Sequence, residues 1–112
     1  MLSLIALLAA ADPAVATLRY ETSLASWSIC IDRQMAHPLG PPAQAARPER
    51  VTFAMGRCAV FGEDFKRTLP DMAARHLAEE GVRDPSPDLV GGLVEEMFRL
   101  VSDDLRKEKE AG

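Results

Sequence analysis

PERVTFAMGRCAVFGEDFKRTL, residues 48–69, decides the fold. Within it Val51, Ala54, Cys58, Phe61, Phe65 and Leu69 recur at three- and four-residue steps, the period at which a helix turns one face toward a core. Pro48-Glu49 suits a helix start, since a proline in the first turn gives up a backbone donor that has no intrahelical acceptor there. Ala54, Cys58 and Gly62 form a second, narrower row of small residues at four-residue spacing. Such a row lets another backbone come close.

The segment upstream carries a matching row. Leu24, Trp27 and Ile31 share a helical face that Tyr20 and Met35 extend, and Ser23, Ser26 and Cys30 lie beside it. Asp12-Pro13 opens this helix with a capping acceptor and a first-turn proline, and His37-Pro38 ends it near Met35. A disulfide requires its Cα atoms within roughly 4.4 to 6.8 Å, closer than helices packed through large side chains usually come. Small residues around Cys30 and Cys58 remove that obstacle. The expectation is an antiparallel hairpin of the first two helices, stapled Cys30 to Cys58, with Ser26 facing Gly62 and Trp27 near Phe61.

Working outward, residues 37–48 form a stiff connector: PLGPPAQAARP, residues 38–48, holds four of the chain's eight prolines. Pro38-Leu39-Gly40-Pro41 fits P-x-x-P, a pattern that a helix-to-helix link already accounts for. Pro70 must kink or break the second helix, with Thr68 placed to cap a fresh turn carrying Met72, Ala73, His76 and Leu77, and Gly81 placed to stop it. Ser86-Pro87-Asp88 combines a capping hydroxyl, a first-turn proline and an acid at the positive end of the helix dipole, so a last helix begins there. Arg106, Lys107 and Lys109 suit its negative end. Leu89, Val90, Leu93, Val94, Met97, Phe98, Leu100, Val101 and Leu105 cover roughly 180° of that helix, wider than the ~100° of an ordinary surface helix. A central position between the earlier helices, or an interface with an unknown protein partner or a second copy of the chain, would cover it. Asp104 falls inside the arc near the helix end and is expected to be solvated. The fold class is therefore all-α, a small bundle of three or four helices, formed by one domain over residues 12–112.

Residues 1–11, MLSLIALLAAA, combine an uncharged apolar run with small residues suited to cleavage, which is the pattern of a secretory signal peptide. Ala9 and Ala11 fit the cleavage positions and leave Asp12 as the new N-terminus; Ala14 and Ala16 offer a second site. The run is too short to span a bilayer, so cleavage leaves no stable membrane span. Export to a periplasm or the extracellular space makes a bridge the default state of an even pair of cysteines. The alternative is a cytosolic helical regulator or adaptor with a retained N-terminal helix and reduced thiols. Abundant Ala, Arg and Pro, three lysines and no asparagine match a bacterial genome of high GC content.

Function is bounded more by what the residues fail to assemble. Thirteen basic against seventeen acidic residues give a formal charge of -4 without a clustered basic footprint, which argues against nucleic acid as partner. His76 and Glu80 are one turn apart but bring no third ligand, so no metal or other cofactor is expected. Glu79-Glu80, Glu95-Glu96 and Asp103-Asp104 are adjacent acids that diverge on a helix, where Glu79 with Arg83 and Glu95 with Arg99 make supportive four-residue pairs. Ser23, Ser26, Ser28, Ser86 and Ser102 lie in no nucleophile elbow, and no phosphate-binding glycine loop occurs. The expected role is a non-enzymatic module that binds a protein partner; a small enzyme without a sequence signature is the third alternative.

Overall fold

The computed structural model describes residues 13–37 and 39–112. The leader at 1–11 with its first cleavage site, the Asp12 cap and Pro38 of the connector lie outside the described residues. The described residues are mostly helical, with no strand among them: α1 Pro13–Ala36, α2 Arg47–Arg57, α3 Ala59–Lys66, α4 Leu69–Glu79 and α5 Pro87–Ala111. The helix expected across 48–69 is interrupted at Cys58, where the backbone leaves helical geometry at φ -101° and ψ 16°. Around it the hydrogen-bond ladder is shared between turns: the Cys58 N–H meets both the Ala54 and Met55 carbonyls, and Phe61 N–H reaches back only three residues to the Cys58 carbonyl at 3.0 Å.

That break moves the buried stripe. Val51, Ala54, Cys58, Phe65 and Leu69 are fully buried as expected, but Phe61 stands 41% exposed and Gly62 is buried in its place. The Trp27 indole lies against Gly62, so close that a Cβ added there would stand 3.0 Å from the ring. Trp27, rather than Ser26, therefore occupies the space left by the missing side chain, and the largest side chain in the protein reaches the core through it. Phe61 shares a surface groove with Ser26 instead. Substituting Gly62→Val should cost about 1 to 3 kcal/mol, because overpacking against a buried indole exceeds what a better helix former returns. Chemical denaturation reads this directly; an unchanged midpoint would show that the indole has room to retreat.

Trp27 stacks on Phe98 with ring planes 1° apart and centroids at 5.6 Å, and sits 5.7 Å from Phe65. Tyr20 approaches Phe65 at 5.1 Å, so α1, α3 and α5 meet in one aromatic cluster rather than at the expected Trp27 and Phe61 contact. The Cys30–Cys58 disulfide joins α1 to the α2–α3 break across a Cα separation of 6.0 Å. Arg50 closes the other end of the same contact by donating from Nη2 to the Met35 carbonyl at 3.3 Å.

Pro70 breaks rather than kinks the chain. Thr68 occupies the cap position of α4, yet its hydroxyl donates back to the Phe65 carbonyl at 2.7 Å instead of accepting from the new helix. At the far end Gly81 adopts φ +85°, and Val82 N–H to the Leu77 carbonyl with Gly81 N–H to the Ala78 carbonyl complete a Schellman stop. Because the helix ends there, Glu79 and Arg83 never acquire four-residue helical spacing. Ser86 caps α5 as expected, its Oγ accepting from Leu89 N–H at 3.1 Å.

The broad apolar arc of α5 is only partly covered. α5 packs against α4 and α2, touches α3, and meets α1 through Phe98 and Lys109. Val94 and Leu105 are buried, Leu93, Met97, Phe98 and Val101 half-buried, while Leu89 and Leu100 at one edge of the arc remain 45% and 50% exposed. A position enclosed on both flanks is thus not what the chain adopts.

Candidate functional site

The face of α1 opposite the core carries its own pattern. Leu18 and Ile29 are eleven residues apart, close to three helical turns, so both point away from Trp27 and Ile31. They stay 63% and 48% exposed. From α3, Phe61 comes alongside because Gly62 has taken the buried position. Leu18, Thr22, Ser26, Phe61 and Asp64 line a groove of about 480 Å³, and Ser26 and Phe61 also belong to its continuation of about 400 Å³ past Ile29, Cys30 and Arg33. The half-buried Cys30 puts the disulfide in the floor of that second part. The small residues Ser23 and Ser26, which sequence reasoning assigned to close helix contact, line this groove.

Charge on the groove is unequal. Asp64 is held by Arg67 at 2.6 Å, one turn along the chain. Arg19 and Arg33 line the two parts and make no ion pair among the described residues. The groove therefore presents two guanidinium groups without an ion pair among the described residues, on a chain of net charge -4.

A second polar centre joins the end of α5 to α1. Lys109 is 7% exposed, its stem continuing the buried row of Leu105, and its Nζ donates to Ser28 Oγ at 2.8 Å and pairs with Asp32 at 2.8 Å. Its carbonyl accepts from Arg47 Nε at 2.7 Å, and Arg106 Nη1 donates to Thr52 Oγ1 at 2.8 Å. A serine beside a lysine invites comparison with a nucleophile and its base. Here the ammonium is already committed to a carboxylate and a hydroxyl acceptor, so the arrangement clamps the helix end and does not activate Ser28. The sequence placed Lys109 among charges suited to the helix dipole; its burial follows from its place one turn beyond Leu105, a continuation of the apolar stripe that a lysine stem can fill.

Between α4 and α5, Met72, Arg75, His76, Glu79, Leu93 and Met97 line a cleft of about 410 Å³. His76 is exposed on its rim, and the Arg75 guanidinium lies 3.9 Å from the Met72 sulfur, where a cation would be repelled. His37 accepts from Leu39 N–H through Nδ1 in the connector. Asp104 is exposed and borders a shallow groove with Leu24, Ser28 and Glu108.

Among the paired acids, Glu95, Glu96 and Asp103 find partners different from those expected. Glu95 pairs with Lys66 of α3 at 2.6 Å, and that hydrogen bond holds the Lys66 ammonium above its usual range. Arg99 binds Glu96 at 2.5 Å and Asp103 at 3.4 Å, so the Glu96 carboxyl is lowered by the Arg99 hydrogen bond and charge. Glu95 and Arg99 part because α3 offers Glu95 a lysine while Glu96 and Asp103 reach Arg99 on its own helix. The comparisons of the chain with protein-family models, curated proteins and solved structures gave no match.

Proposed function

We propose that this chain is an exported bacterial protein, a disulfide-stapled antiparallel hairpin completed by further helices into a small bundle, whose task is to bind another protein rather than to catalyse a reaction. The observation that carries the reading is the groove on α1 and α3, where Leu18, Ile29 and Phe61 remain exposed beside a covalent staple. Contiguous apolar surface of this kind is characteristic of interaction sites. The bridge supports an oxidising compartment, as does the apolar leader at 1–11 with its small-residue cleavage positions.

Recovering the protein from its source organism tests both halves. A periplasmic or secreted form beginning at Asp12 is expected, and affinity isolation of that form should retain a defined protein that the Leu18→Lys, Phe61→Lys double variant releases. An intact Met1 on the functional form would rule out cleavage of the leader. Retention of nothing beyond what an unrelated exported protein retains would end the binding role.

The exposed edge of α5 favours one further reading. Leu89 and Leu100 share a helical face, and a homodimer through it would cover both. Sedimentation of the purified chain should then give a dimer that Leu100→Glu dissociates.

A further inference from the structure

We propose that the groove between α1 and α3 receives an acidic, amphipathic helix of a protein partner; this rests on the binding role above and names its site and the chemistry of its occupant. Leu18 and Ile29 lie about 16 Å apart along α1 at 1.5 Å per residue, so the apolar part of the groove accommodates about three turns of a second helix. Phe61 stands opposite from α3. Anchors at i, i+3 or i+4, and i+7 on an incoming helix match such a seat, and the described residues offer no sheet edge to which an extended peptide could add.

Charge selects among amphipathic helices. Arg19 and Arg33, about 21 Å apart on the same spacing, frame the apolar stretch without ion pairs of their own among the described residues, whereas the acid in the groove, Asp64, is already neutralised by Arg67. A basic helix would meet the two guanidinium groups and gain nothing from Asp64. An acidic helix carrying carboxylates three to four turns apart would pair with both. The overall charge of -4 does not oppose this, because screening confines the pairing field to about 8 Å at physiological salt.

The test places a photo-crosslinking residue, benzoylphenylalanine, in the full chain expressed in its source organism. One position is Thr22, in the groove; the other is Gly92 on α5, where an added side chain meets no neighbour. Adducts are digested and sequenced by mass spectrometry. Thr22 is expected to capture peptides of net negative charge with apolar residues at helical spacing, and Arg19→Glu with Arg33→Glu is expected to lower the yield about tenfold, each exposed pair being lost and replaced by repulsion. Both arginines are exposed, and an unchanged circular-dichroism melt of the charge-reversed protein shows that the fold is intact.

Adducts at Thr22 to basic peptides, to lipid or to a second copy of this chain would overturn the acidic-helix occupant. So would a yield indifferent to charge reversal. Protein adducts from Gly92 alone would overturn the groove as the site while leaving the binding role standing; no protein adduct from either position would overturn both.

Discussion

Replacing Phe65 by alanine is expected to lower the unfolding free energy by about 3 to 5 kcal/mol, the usual cost of removing a fully buried phenyl ring. Phe65 has no exposed surface and touches Tyr20 and Trp27 at ring-centroid distances of 5.1 and 5.7 Å. Its loss opens a cavity where α1, α3 and α5 converge, and those three helices cannot all move inward because the disulfide fixes one pair. For a chain of this length the melting temperature should fall by about 12 to 20 °C. Phe61→Ala is the internal control: the same chemical change at a 41% exposed ring should cost under about 1 kcal/mol. Thermal melts of the two variants followed by circular dichroism decide the matter. Equal losses would mean that Phe61, not Gly62, occupies the core position.

Reducing the Cys30–Cys58 bridge is expected to remove about 3 to 4 kcal/mol, from the entropy regained by an unfolded chain whose loop spans a sequence separation of 28. That is a large share of the total stability of about 5 to 15 kcal/mol that domains of this size possess. Melting the unmodified chain with and without excess reductant measures it without replacing Cys58, which is fully buried, by another side chain. Thiol titration first verifies that both cysteines have been freed. A melt that stays put after two thiols are counted would show that helix packing alone holds α1 to the α2–α3 break, and the bridge would lose its structural role.

Local signals in the chain were legible because their physics is local. Ser86 before Pro87 caps α5, Gly81 stops α4 through its left-handed backbone, and Pro41 and Pro42 sit in the non-helical stretch 39–46, each acting through groups a few residues away. The small residues around Cys30 and Cys58 announced a close approach, and the disulfide bridges those two positions. Less was legible wherever two elements compete for one side chain. Periodicity assigned Phe61 to the buried face because it counts residues along an unbroken helix; the break at Cys58 resets that count, and the stripe continues through Gly62 to Phe65. Glu95 was matched with Arg99 by spacing alone, while Lys66 waits on α3 at 2.6 Å.

The groove shows the same division. Its residues are all visible in the sequence, yet the stripe of Leu24, Trp27 and Ile31 passes over Leu18 and Ile29, and no clustered basic footprint singles out Arg19 and Arg33. They become one surface only when α3 brings Phe61 alongside α1. By itself, the sequence determined that this protein is helical, where several of its helices begin and end, and which two cysteines stand on small-residue rows, because hydrogen-bond caps, proline, glycine and 3.6-residue periodicity act within one or two turns. Only the tertiary structure decided that Trp27 enters over Gly62, that Lys109 is buried as a clamp and that Phe61 is left to the groove, because each outcome depends on the space another helix leaves open.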